Sequence, residues 1–352
     1  MDLSATDQTA TPDGLADRLR PVRVWLYGIA ALVLLMVVVG GATRLTGSGL
    51  SITSWKPIAG AIPPLSDADW LAEFEAYRQI PQFQILNAWM NIEDFKSIFW
   101  WEWAHRFLGR IIGFAFAIPF LVFLVQKRFT WDLAMPLVGL FVLGGFQGFL
   151  GWWMVSSGLS ELTSVSQYRL AAHLGAASLL FIALIWVARR LRPARAAAAV
   201  TAWPIALLLA LVILQIVAGA FVAGLDAGMG YNTWPLMDGA LIPSGLDAIS
   251  PLWRNFFENA PTVQFTHRAI AYLILAYASF LLWRQNRAGG LAGVHGWLPR
   301  IALLVLLQAA LGIATLLASV PISLALAHQA LAFMLAGAVT AYLADLREPP
   351  RR

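Results

Sequence analysis

Long apolar runs separated by short polar breaks dominate the chain, and eight of them can cross a lipid bilayer. About 20 helical residues span the roughly 30 Å hydrocarbon core. Such runs lie near residues 24–43, 99–125, 132–154, 167–188, 202–224, 263–283, 299–318 and 320–344. The last two are parted only by a turn at Ser319–Pro321. The expected fold class is therefore all-α, a polytopic membrane protein with eight transmembrane helices. Residues 1–22 are polar, carry no apolar core and read as a flexible cytoplasmic tail. Gly40-Gly41-Ala42 follows the first run in the manner of a signal-peptide cleavage site. That run has a counterpart deep in the chain, however, so we expect it to be retained.

The second half of the chain repeats the first. Ala104-His105-Arg106 opens the second span and Thr266-His267-Arg268 the sixth, an offset of 267 − 105 = 162. Gln147-Gly148-Phe149-Leu150-Gly151 in the third span answers Gln308-Ala309-Ala310-Leu311-Gly312 in the seventh. His173 in the fourth span answers His328 in the eighth. Beyond spans one and five, Gly49 and Trp55 are spaced like Gly228 and Trp234. Matches in one order at nearly constant offset predict two tandem pseudo-symmetric four-helix bundles, residues 23–195 and 196–352. Four is even, so the halves share orientation about an axis along the membrane normal. Gly40, Gly41, Gly144, Gly145, Gly148, Gly151, Gly219 and Gly224 are read as small residues for close helix packing.

Composition agrees. With 59% hydrophobic and 12% charged residues, the chain is neither disordered nor an ordinary soluble protein. It has no cysteine, which excludes disulfides, thiolate ligands, iron–sulfur clusters and catalytic thiols. The net charge of +5 does not imply nucleic acid, because the basic residues sort by membrane side. Arg18, Arg20, Arg23, Lys127, Arg128, Arg189, Arg190 and Arg195 fall with the termini. Acidic residues are at least as common as basic ones in the two long connections opposite, about 44–98 and 225–262. Both termini are expected in the cytoplasm.

Imidazole suits metal or haem iron and is costly against lipid. His105, His173, His267 and His328 all lie a few residues inside the same ends of their spans, paired on two helices in each half. Two facing helices can clamp a planar macrocycle through both axial positions. For one histidine a hydrogen bond to a carbonyl or water would be the plainer account; four at repeated positions favour a pair of bis-histidine sites. Zinc is disfavoured, since neither half offers a third nitrogen or sulfur ligand at that depth. His295 has no repeat partner and reads as a surface histidine.

Arg106 and Arg268, next to a histidine in each half, are candidates for haem propionates, with snorkelling to headgroups as the equal alternative. Glu102 precedes His105 by three residues, on the same helix face, whereas Gln264 holds that place before His267. The carboxylate can act as a general acid/base, so chemistry is expected in the first half and a permanent redox cofactor in the second. A merely structural glutamate here is expected to be exposed. Arg110 is the charged residue nearest the centre of any span and has no evident acidic partner.

The stretch Phe99-Trp100-Trp101-Glu102-Trp103-Ala104-His105-Arg106-Phe107-Leu108-Gly109-Arg110 closely resembles the signature of the haem A synthase family. So do Gly47-Ser48-Gly49-Leu50-Ser51 with Trp55-Lys56-Pro57, Arg169-Leu170-Ala171-Ala172-His173, and Thr233-Trp234-Pro235-Leu236-Met237. The resemblance covers about residues 20–345 and is to the mitochondrial and alphaproteobacterial branch, which lacks the outer-loop cysteine pair of some bacterial members.

The resemblance implies oxidation of a ring methyl of haem O to the formyl group of haem A for terminal oxidase assembly. It implies haem b as cofactor on His267 and His328, the substrate haem on His105 and His173, and Glu102 as the essential carboxylate. It places the protein in a bacterial inner membrane with the haem sites toward the periplasm. Haem O synthase, oxidase assembly factors and an electron acceptor from outside the chain are the implied partners. The rival readings are a di-haem b membrane cytochrome fed by quinol and a transporter. Two sites at one level would not carry electrons across the bilayer, and a transporter needs binding groups nearer the midplane.

Overall fold

The computed structural model describes residues 12–160, 162–192, 201–287 and 296–346. His295, Arg195 and the first eleven residues lie outside them. Eight long apolar helices form the body: α1 (Pro12–Leu45), α3 (Ile92–Val125), α4 (Trp131–Ser156), α5 (Gln167–Arg190), α6 (Trp203–Gly224), α8 (Ala260–Arg287), α9 (Trp297–Leu317) and α10 (Ile322–Asp345). Two shorter helices, α2 (Asp67–Arg78) and α7 (Asn255–Glu258), sit in the long connections. No strand forms among the described residues. The protein is an all-α, multi-pass membrane protein.

The eight long helices pack in two sets of four. α1 and α4 each pack against α3 and α5; α6 and α9 each pack against α8 and α10. Between these two rings α5 meets α6 and α10, and α1 meets α10. Exchanging α1 with α6, α3 with α8, α4 with α9 and α5 with α10 carries each of these contacts onto another and the α5–α10 contact onto itself. Lipid supplies no hydrophobic force between helices, so close backbone approach has to hold such an interface. Gly224 of α6 is seated where a methyl would stand 2.9 Å from the Gln167 Cα of α5. Gly41 of α1 faces Leu326 and Gln329 of α10, and Gly337 of α10 faces Phe181 of α5. Gly144, Gly145 and Gly148, read from sequence as packing glycines, meet nothing within 4 Å.

Helix α1 starts well inside the stretch expected as a polar tail. Val22 is fully buried and Leu19 packs on the same core, so residues 19–22 already belong to the packed helix. The Arg18 guanidinium donates to the Lys127 carbonyl at the turn into α4, which anchors this end.

The main core, with Leu26, Leu137, Leu184, Leu208, Ile301 and Phe333 among its buried members, lies toward the side of the termini. Nearer the long connections the interior changes. No α3 side chain is buried between Glu102 and Phe116, and none on α8 between Gln264 and Ile274. Those intervals contain His105 and His267.

Candidate functional site

Each of the four histidines faces a glycine on the neighbouring helix. A methyl on Gly40 of α1 would stand 3.0 Å from His105 Nε2, and one on Gly151 of α4 would stand 3.4 Å from His173 Cε1. In the second ring, Gly219 of α6 lies 3.2 Å by the same measure from His267 Cε1, and Gly312 of α9 lies 2.8 Å from His328 Cε1. Gly40 and Gly219 are repeat equivalents, as are Gly151 and Gly312. Three of these glycines do more than bring helices together: a methyl at Gly40 or Gly219 would crowd the ring, and at Gly312 the ring would have to shift. Sequence reasoning gave three of the four a packing role; the signal it lacked was their shared level with the histidines.

The imidazoles are partly accessible although they lie between helices, because side chains do not fill the space they face. Within each ring the two histidines are close enough for their charges to interact, His105 with His173 and His267 with His328. His173 Nδ1 and His267 Nδ1 are buried without a hydrogen-bond partner, as are both amide atoms of Gln147. Buried polar atoms are rarely left unpaired in a native interior. Paired imidazoles, glycine clearance and unpaired nitrogens fit an iron macrocycle between the helices of each ring. They do not fit a polydentate metal site, for no cluster of three His, Cys, Asp or Glu exists among the described residues.

Glu102 is not exposed, contrary to what a structural glutamate at the span end was expected to be; it is 2% exposed. Its Oε2 accepts from Ser51 Oγ and from the Ile52 backbone N–H, both at 2.8 Å. Its Oε1 accepts from Arg106 Nε at 3.1 Å and Nη2 at 2.6 Å. A carboxylate has about four lone-pair sites, and here four donors fill them. Arg106 also donates to the carbonyls of Ser54 (3.1 Å) and Ile52 (2.8 Å). Arg106 is thus bound by Glu102 and the first outer loop, rather than snorkelling to headgroups. Arg110, without an acidic partner in the sequence reading, donates to the carbonyls of Pro57 (2.8 Å) and Lys56 (3.0 Å), so the loop descends along α3 past His105.

The second ring has the same device with a different charge. Arg268 donates to the carbonyls of Thr233 (3.0 Å) and Tyr231 (2.9 Å), the loop positions equivalent to Ser54 and Ile52. Gln264, 3% exposed, donates to the same Tyr231 carbonyl at 3.1 Å. The conserved geometry within one chain makes the Glu102–Gln264 difference a local one: a carboxylate pairs with the neighbouring arginine in the first ring, an amide meets only a carbonyl in the second.

Helix α2 was not foreseen, although its start carries a capping-box signature from Ser66 to Asp69. It lays Trp70, Phe74 and Tyr77 against Phe95 and Phe99 of α3 and against Leu50 and Ile52. That cluster holds the loop bearing Ser51 and Ile52 over Glu102. Trp55 at the loop's far end packs on Trp152 of α4, their ring centroids 6.4 Å apart.

A family model described as cytochrome oxidase assembly protein, COX15-CtaA, matches residues 23–340. A heme A synthase of Azorhizobium caulinodans is 59% identical over 314 residues, covering 88% of this chain and 89% of that protein. Those of Parvibaculum lavamentivorans and Bradyrhizobium diazoefficiens are 55% and 54% identical, each over 89% of this chain and over 90% and 88% of their own lengths.

Proposed function

The chain belongs to the haem A synthases of the cytochrome oxidase assembly (COX15-CtaA) family, and from that premise we propose that it oxidises a ring methyl of haem O to the formyl group of haem A. His105 and His173 hold the substrate haem in the N-terminal half, residues 23–195. His267 and His328 hold a resident haem b in the C-terminal half, residues 196–352. Both termini lie in the cytoplasm of a bacterium and both haem sites face the periplasmic side of its inner membrane. The observation that carries the reading is the fourfold seating of a histidine against a glycine, twice in each ring.

Haem b at the second pair would supply the electron-transfer capacity that no side chain here possesses. The chain's own residues bind, orient and shield. Glu102 and Arg106 pull the segment from Ser51 to Ser54 down over the first ring, which keeps bulk water from the reacting edge. A proton can reach a Glu102 oxygen only by displacing one of its four donors, so any acid/base step there disturbs either the loop, through Ser51 and Ile52, or the pairing with Arg106. Loop carbonyls hold the guanidinium groups of Arg106 and Arg268 in place, and Arg268 Nε, buried without a partner, is the donor left for a propionate.

The test is expression alongside a haem O source, followed by pigment extraction. Wild-type protein is expected to carry haem b with variable haem O or A. His267→Ala and His328→Ala should lose haem b, and His105→Ala and His173→Ala should keep it but make no haem A. Stoichiometric haem b alone in the wild type would favour the di-haem cytochrome, and equal effects from all four variants would end the division between rings. Glu102→Gln should retain both haems while formyl production stops or stalls. Wild-type output of haem A from that variant would remove Glu102 from the mechanism.

A further inference from the structure

The two glycines that face histidines in the second ring share a further feature, one helical turn deeper. Four residues before Gly219 is Gln215, and four before Gly312 is Gln308. Gln215 Nε2 donates to the His267 carbonyl at 3.0 Å and lies 3.2 Å from His267 Nε2. Gln308 Nε2 donates to the His328 carbonyl at 3.0 Å and lies 3.2 Å from His328 Nδ1. Each glutamine therefore reaches across from the neighbouring helix to both the backbone and the ring of one histidine. The Oε1 atoms of both are buried and unpaired, which leaves an acceptor beside each ring.

The first ring departs at both places. Four residues before Gly40 stands Met36, whose Cε lies 3.3 Å from where a Gly109 Cβ would be, one turn beyond His105. A thioether cannot donate to a carbonyl. Four residues before Gly151 stands Gln147, the sequence equivalent of Gln308, yet neither of its amide atoms has a partner. Neither histidine of this ring receives the interhelical bond that both histidines of the other receive.

We infer that Gln215 and Gln308 are positioning residues that fix His267 and His328 as lasting iron ligands, and that Met36 and the undocked Gln147 leave His105 and His173 free to release their haem. The inference rests on the reading of the two histidine pairs given above. It explains in residues why one of two repeat-related sites retains a cofactor while the other turns over a substrate and discharges a product. Partners that orient a ligating histidine change metal affinity by about 10–100-fold when they are removed.

The test uses full-length protein purified with its haem. Gln215→Met and Gln308→Met copy the residue that α1 carries, and Met36→Gln is the reverse change. Haem b loss to excess apomyoglobin gives a release rate, and the low-spin ferric EPR signal reports ligand orientation. Each glutamine variant should release haem b about 10–100-fold faster and shift the EPR signal, while Met36→Gln should slow release from the first ring. A lesion of folding alone would lower yield and leave the EPR signal of the remaining holoprotein unchanged. The inference is overturned if His267→Ala and His328→Ala abolish haem b but the glutamine variants keep the wild-type release rate and signal. If instead haem b survives His267→Ala and His328→Ala, it is the assignment of the pairs that fails, whatever the glutamines do.

Discussion

A single methyl decides whether a histidine can stay where it is. Adding one at Gly312 puts it 2.8 Å from His328 Cε1, closer than carbon atoms tolerate, whereas at Gly151 it reaches His173 at an ordinary 3.4 Å. Gly312→Ala should therefore displace the His328 ring and lower the haem b content of purified protein. Gly151→Ala should leave His173 seated and strengthen α4 by about 0.5–1 kcal/mol, since glycine weakens a helix interior. Haem-to-protein ratio and thermal unfolding in detergent check both, and equal haem loss from the two variants would contradict the steric account. At this scale the sequence was half legible. The four histidines and the Glu102–Gln264 difference could be read from spacing alone. The burial of Glu102 could not, because Ser51 and Ile52 approach it from a loop about fifty residues away. Arg106 was legible as a charged neighbour of His105, but its loop acceptors were hidden for the same reason.

Helix α2 shows how an element outside the membrane supports one inside it. Ser66 caps its first turn and Asp69 returns the bond, a local motif readable in four residues. From its far end, Asn87 Nδ2 donates to the Tyr77 hydroxyl, Tyr77 donates to Gln82, and Gln82 Nε2 donates to the Gly47 carbonyl. The start of the loop that roofs Glu102 is thereby tied to α2. The Ser66 hydroxyl, with the backbone N–H groups of Ser66 and Leu65, holds the Asp69 carboxyl below its ordinary value of 3.8. A depressed folded-state value contributes stability above the unfolded value and loses it as pH falls through the folded one. The protection of the α2 amides against hydrogen exchange, relative to the intrinsic rate at each pH, should accordingly be constant from neutral pH down to the ordinary aspartate range and fall only below it. Loss of protection beginning near neutrality would mean that the cap does not control this helix. Trp70, Phe74 and Tyr77 form an apolar stripe on α2, and docking on Phe95 and Phe99 gives it a use.

Across the whole molecule the eight spans were legible, because hydrocarbon thickness fixes span length. Which helix faces meet was not. In lipid both the buried and the exposed faces are apolar, so periodicity cannot separate them as it does in water. Polar links between the rings then identify the interface, and their burial ranks them. Near the termini, Asp345 at the end of α10 accepts from Arg189 of α5 at 2.7 and 2.5 Å and from Trp297 Nε1 at 3.1 Å. On the opposite side Arg44 of α1 donates to Asp226 at 3.0 Å, just past the end of α6. The first pair is 15% and 19% exposed, the second 24% and 69%. Water screens the exposed partner, so Asp226→Ala should cost about 0–1 kcal/mol. Removing Asp345 deprives a largely buried guanidinium of its bidentate partner, and Asp345→Ala should cost about 1.5–3 kcal/mol, as hydrogen bonds to charged groups do. Thermal unfolding in one detergent compares the two directly. Haem content should not change in either variant before unfolding begins, because the histidines and their glycines lie within each ring rather than across the interface. Loss of haem from folded Asp345→Ala protein would show that the sites depend on how the rings meet, and the two halves would then have to be treated as one site-forming unit.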